Sequence, residues 1–117
     1  MNGGAKNILI LERDEGVAET VRIMAEVLGH DTQVCVSTDG ALTELSRKRY
    51  DVVITNRALK NTGMSLPWLI RSVQPGARIV LTTSRQFQLA PALPVDGLLR
   101  KPFGLNDLRA AIGPEAP

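Results

Sequence analysis

The sequence predicts an α/β domain, a parallel sheet with helices over both faces, and three observations carry that reading. Ile8-Leu9-Ile10-Leu11, Val52-Val53-Ile54 and Ile79-Val80-Leu81 are apolar runs too short for helices and mostly β-branched, as suits strands buried on both faces. Between them, apolar residues recur at helical spacing, and that alternation implies parallel strands joined by helical crossovers. At 117 residues the chain is expected to form one domain over 1–117, with a core from about 6 to 112 and frayed tails, large enough to need neither metal nor disulfide.

The elements follow in order. The first strand ends in charge at Glu12-Arg13-Asp14-Glu15. Val17, Val21, Met24 and Leu28 then predict a helix from about Glu15 to Leu28, capped by Asp14 and stopped by Gly29. Thr32 to Val36 reads as a second strand. Thr38 or Asp39 is the expected cap of a helix running to about Lys48 on the apolar face Ala41, Leu42 and Leu45. The central strand begins at Asp51 and empties at Asn56 into a polar loop that reaches Gly63.

Ser65 is the expected cap of the next helix, where Pro67 is tolerated in the first turn and Leu66, Leu69, Ile70 and Val73 form one stripe. Arg78 to Thr82 is the fourth strand, ending in the hydroxyls Thr82, Thr83 and Ser84. Pro91 and Pro94 forbid a long helix between Arg85 and Asp96, so a short or irregular one is expected. Gly97 to Arg100 is a short fifth strand, and Leu105, Leu108, Ala111 and Ile112 mark a final helix stopped by Gly113-Pro114.

Composition narrows the function classes. The formal net charge of +2 is too slight to imply nucleic acid, and the basic run Arg47-Lys48-Arg49 suits a helix C-terminus. No apolar run approaches the roughly 20 residues a bilayer demands, and no secretory leader is evident, so a cytoplasmic protein without membrane contact is expected. Cys35, the single cysteine, excludes an internal disulfide and reads as a small buried hydrophobe. His30, after a helix-ending glycine, reads as a surface turn residue. Trp68 falls off its helix's apolar stripe, and Phe87 and Leu89 read as packing for an irregular segment.

In open α/β sheets ligands and chemistry gather outside the carboxyl ends of the strands. Glu12 and Arg13, Asn56, Thr82 and Lys101 should therefore meet on one rim. The span from about Lys6 to Ile112 resembles the receiver domain of response regulators in two-component, phosphorelay signalling. The resemblance rests on Ile8 to Asp14, Asp51 to Asn56, Leu81-Thr82-Thr83 and, most specifically, Leu99-Arg100-Lys101-Pro102-Phe103. It implies a flavodoxin-like sheet of order 2-1-3-4-5 and a cis peptide between Lys101 and Pro102.

The chain departs from the family at the reacting atoms. Asn56 takes the place of the phosphoacceptor aspartate, and an amide cannot serve as that nucleophile. Arg13 takes the place of the second acid of the metal-binding pair begun by Glu12. The family's three carboxylates and lysine carry −2, whereas Glu12, Arg13, Asn56 and Lys101 together carry +1, so neither magnesium nor any other cofactor is expected. A one-residue slip would offer Asp14 but leave Asn56 in place. Leu98 replaces the aromatic switch residue three before Lys101, so the toggle that couples it to the Thr82 hydroxyl has lost its lever.

Two readings of Arg13 stand side by side. Its guanidinium either bonds Glu12 and Asn56, a tethered cation in the metal's position, or lies solvated on a decayed site. The expected function is that of a non-enzymatic pseudo-receiver, independent of phosphorylation and acting by contact with a histidine kinase, another regulator or a copy of itself. That contact is expected around the fourth and fifth helices and fifth strand. The alternative is a module binding a small anion or metabolite in the strand-end crevice. Flavin mononucleotide is disfavoured because Glu12 to Glu15 offer neither glycine nor hydroxyl to a phosphate. Phosphoryl transfer to another acid ranks last.

Overall fold

The computed structural model describes residues 4–56, 60–61, 64–84 and 93–113, and the side chains of these except at 60, 61 and 64. Along the chain run β1 (Asn7–Leu11), α1 (Glu15–Val27), β2 (Asp31–Cys35), α2 (Thr38–Arg47), β3 (Val52–Asn56), β4 (Lys60–Asn61), β5 (Met64–Ser65), α3 (Leu66–Val73), β6 (Arg78–Thr83), β7 (Gly97–Arg100) and α4 (Leu105–Ile112). The main sheet is parallel with order β2-β1-β3-β6-β7, which is 2-1-3-4-5 among its five strands, as expected. A two-residue antiparallel pair, β4 with β5, lies within a stretch read from sequence as loop and helix cap.

Because successive side chains of a strand alternate between faces, the apolar runs divide into two cores. Ile8, Ile10, Val52, Ile54, Val80 and Leu99 pack beneath α1 and α4. Leu9, Leu11, Val53 and Ile79 pack on the other face with Leu45 of α2 and Leu66 and Ile70 of α3. All of these are buried, which is why the runs show no polar alternation.

Caps refine the helix boundaries. The Asp14 carboxylate accepts from Val17 N at 3.1 Å at the start of α1, as its sequence position suggested. Gly29, with φ +94°, ends that helix in the left-handed region open to glycine. For α2 the cap is Ser37, whose hydroxyl accepts from Gly40 N at 3.0 Å, one residue before the expected Thr38 or Asp39. Ser65 stands at the cap position of α3 but makes no side-chain capping bond, and its hydroxyl is buried with no partner among the described residues.

Three expectations need correction. His30 is buried, not on the surface, because its Nδ1 accepts from Lys6 N at 3.1 Å and ties the start of β1 to the end of α1. Cys35 is only partly covered; burial first and the Glu44 carboxylate second push its thiol upward. Val73 ends the α3 stripe half in solvent, while Leu66 and Ile70 carry the packing.

The fourth-helix expectation falls largely on residues 85–92, outside the described residues, as do Phe87, Leu89 and Pro91. Residues 93–96 carry neither helix nor strand and lead into β7. Their anchor is Asp96, whose carboxylate accepts from Ile79 N at 2.8 Å and from Arg71 at 2.7 Å. Arg71 also donates to the carbonyls of Pro75, Ala77 and Pro94, so one guanidinium joins the end of α3 to the entrance of β6 and the approach to β7.

Partial burial pushes the Asp96 carboxyl up, but the Ile79 N–H and Arg71 more than offset it and hold it below its ordinary 3.8. A carboxyl lowered on folding stabilises above its unfolded value and loses that contribution as pH falls through the folded one. Replacing Asp96 by Asn should therefore cost about 1–2 kcal/mol at neutral pH. Thermal melts of wild type and Asp96→Asn should differ by several degrees at pH 7, and the gap should close as pH falls through the lowered folded value of Asp96.

Candidate functional site

Parallel strands β1, β3, β6 and β7 deliver their ends to one rim. Asn56 and Thr82 are register partners on adjacent strands, and Glu12 follows β1, its backbone N–H donating to Cys35 O of β2. The side chain of Glu12 is buried, at 4% exposure, an uncommon state for a carboxylate. Its Oε2 accepts from Asn56 Nδ2 at 3.0 Å and from the backbone N–H of Asp14 at 3.0 Å. Since a carboxylate only accepts, the amide group turned toward it is the NH2 end. The other oxygen, Oε1, is buried and has no hydrogen-bond partner among the described residues.

The remaining residues expected at the rim divide. The Thr82 hydroxyl is buried and donates to the Thr55 carbonyl at 3.3 Å, a long bond that turns it along the sheet. Lys101 follows β7, and its backbone N–H donates to Thr83 O at 2.9 Å. Its side chain lines, with Asp14, an apolar groove of about 450 Å³ between α1 and the β7–α4 turn. The Lys101–Pro102 peptide is cis, as the resemblance implied. Leu98 does not join the rim; it lines a separate cleft of about 500 Å³ beside β7 and α4, with Arg78, Arg100 and Asp107.

Arg13 is exposed, and among the described residues its guanidinium bonds neither Glu12 nor Asn56. The tethered-cation reading is therefore corrected to the solvated one. Asn56 reaches the buried carboxylate directly, so Glu12 already has a donor in the place the guanidinium was expected to fill. Sequence reasoning named both ends of this contact but missed their bond, because a neutral amide beside an acid carries no charge signal. It also missed the Asp14 backbone donor, which only the turn from β1 into α1 creates.

This arrangement has the fold of CheY-like response-regulator receiver domains. Solved structures similar to this chain include the receiver domain of a sensor histidine kinase from Pseudomonas aeruginosa PAO1, with a TM-score of 0.78 at 22% identity, over 92% of this chain and 94% of that one. That protein has magnesium coordinated in its active-site cleft. A receiver domain from Methylobacillus flagellatus aligns with a TM-score of 0.75 at 24% identity, covering 91% of this chain and 94% of that one. The N-terminal domain of a response regulator/sensory box/GGDEF three-domain protein from Carboxydothermus hydrogenoformans aligns at 0.77 and 17%, covering 92% and 90%. No protein-family model and no curated protein sequence matches the chain. At these identities the likeness establishes the fold. Among the described residues no helix is long and apolar enough to cross a membrane.

The bond between Asn56 and Glu12 makes a direct prediction. Asn56→Asp would set a second carboxylate about 3 Å from a buried one, and like charges that close cannot both ionise without cost. The variant should melt several degrees below wild type at pH 7 and recover as pH falls toward 4, when one carboxyl takes up a proton. Melting curves across that range check it, and equal midpoints at pH 7 would contradict the contact.

Proposed function

We propose that this chain is a pseudo-receiver: a signalling module of two-component, phosphorelay type that works by protein contact without being phosphorylated and has no catalytic activity of its own. One observation carries the reading. At the end of the central strand, where phosphoryl transfer in a receiver needs a carboxylate oxygen, Asn56 presents an amide whose N–H is committed to Glu12. The same bond argues against magnesium. A hard cation asks for several anionic oxygens, and the rim supplies one carboxylate, Glu12, with an N–H turned toward it. Asp14, the next acid, has its Oδ1 engaged in capping α1. Among the described residues no group of three or more His, Cys, Asp or Glu side chains is placed to hold a metal.

The switch residues support the same reading. Thr82 is bonded to the sheet backbone, and Leu98 opens onto a different cleft, so the two are not arranged as a coupled pair. The partner is a histidine kinase, another regulator or a second copy, in the cytoplasm, and the β7–α4 cleft offers charged groups of both signs to it. The rival reading, a small-anion site in the crevice, is weakened by the buried Glu12 oxygen that has no partner among the described residues, which would repel an anion.

Incubation with acetyl phosphate and magnesium, followed by intact-mass measurement, should leave the chain unmodified, and beryllofluoride with magnesium should not shift its melting temperature. The double variant Arg13→Asp with Asn56→Asp should gain magnesium-dependent stabilisation, because it restores the missing oxygens on an otherwise intact scaffold. A phosphoryl adduct on the wild-type chain would overturn the proposal.

A further inference from the structure

Arg78, the first residue of β6, is partly buried, and its guanidinium lies between the approach to β7 and the end of α4. Its Nε donates to Ala111 O at 2.8 Å and its Nη2 to Asp96 O at 3.2 Å. Two glycines leave room for it. A Cβ on Gly97 would stand 3.4 Å from Nη2 and 3.3 Å from Ala111 O, and one on Gly113 would stand 3.3 Å from Nε. Both acceptors are neutral carbonyls, and among the described residues Arg78 forms no ion pair and its Nη1 donates to nothing. Asp96 is near enough for Arg78 to help hold its carboxyl down, but that carboxylate is bonded to Arg71 and Ile79 N. A guanidinium carries five N–H donors, so most of those of Arg78 are left over, in an orientation that two carbonyls fix.

Arg78 lines the cleft of about 500 Å³ beside β7 and α4, a volume in the range that holds small organic ligands. Leu98, Phe103 and Ala110 give the cleft apolar walls, and Arg100 brings a second guanidinium to it. Asp107 is the carboxylate among the lining residues, and its Oδ2 accepts from Gly104 N at 2.8 Å. We infer that this cleft is a binding site for a small organic monoanion, a carboxylate carried on an apolar body. The carboxylate meets the unused donors of Arg78, and the body lies against Leu98 and Phe103.

Charge and shape select that class. A planar guanidinium with adjacent free N–H groups matches the two oxygens of a carboxylate. Two guanidinia against one carboxylate leave the cleft with a single surplus positive charge, which a monoanion neutralises and a phosphate dianion would overshoot beside Asp107. The apolar walls reward a hydrocarbon or aromatic body, so a bare anion gains only part of the contact. The site needs nothing from the strand-end rim, and it stands whether or not Asn56 accepts a phosphoryl group.

Titration of the isotope-labelled full chain with 4-phenylbutyrate, followed by backbone amide shifts, tests it. The shifts should saturate with a dissociation constant on the order of 1 mM and centre on Leu98, Arg100 and Ala110. Acetate, which lacks the body, and 4-phenylbutanol, which lacks the charge, should each bind at least about tenfold more weakly. Arg78→Gln should abolish saturation. Because Arg78 also joins β6 to α4, Ala110→Glu serves as the second variant: Ala110 is exposed, and a carboxylate there should repel the ligand while the melting temperature stays that of wild type. No saturation by about 10 mM, equal binding of the alcohol, shifts centred on Glu12 and Asn56 or on Val17 and Met24, or undiminished binding in Ala110→Glu would each overturn the proposal.

Discussion

The structure depends on β3 being paired on both edges and covered on both faces. Val52 to Thr55 align with β1 on one side, and Val52 to Asn56 with β6 on the other. Val52 and Ile54 lie in one core, Val53 in the other, so the strand can neither slide nor turn over without burying different side chains. Fixing β3 fixes its last residue. Asn56 is thereby held within hydrogen-bond reach of Glu12, across the boundary between two strands 44 residues apart in sequence.

That contact concentrates the chemistry of the rim. Burying a carboxylate is costly unless donors compensate it, and Glu12 receives two, both on one oxygen. The second oxygen has none among the described residues, and neither has the buried Thr55 hydroxyl one residue before Asn56. A phosphoacceptor site of the receiver kind would surround the same place with oxygens. Here the amide of Asn56 takes up the carboxylate's capacity, and the side chain of Arg13 stays in solvent. The result is a crevice in which Asn56 and Glu12 are turned toward one another.

Polar side chains do comparable work away from the rim by joining chain segments that strand pairing leaves loose. Arg71 and Asp96 tie α3 to the approach of β7. Gln74 accepts from Tyr50 N at 2.9 Å and donates to Leu45 O at 2.8 Å, holding the end of α3 against the end of α2. The buried Tyr50 hydroxyl donates to Glu44 at 2.7 Å; burial first, then that carboxylate, pushes the phenol upward, while the Tyr50 hydroxyl and Arg47 pull Glu44 downward. None of these pairs shows a sequence period, because each joins residues brought together by the turn between elements.

By itself the sequence determined the five strands of the main sheet and the four described helices, since these follow from local periodicity and from runs such as Val52-Val53-Ile54 that only a doubly covered sheet can bury. It also determined which residue types stand at the strand ends, and so the absence of a carboxylate at position 56. Tertiary structure decided what those residues do with one another: that Asn56 bonds Glu12, that Arg13 stays outside, that Thr82 turns to the Thr55 carbonyl, and that His30 is buried against Lys6. The physical reason is range. Hydrophobic periodicity is written along the chain, whereas a hydrogen bond between side chains depends on distances of about 3 Å that exist only after distant strands have been brought side by side.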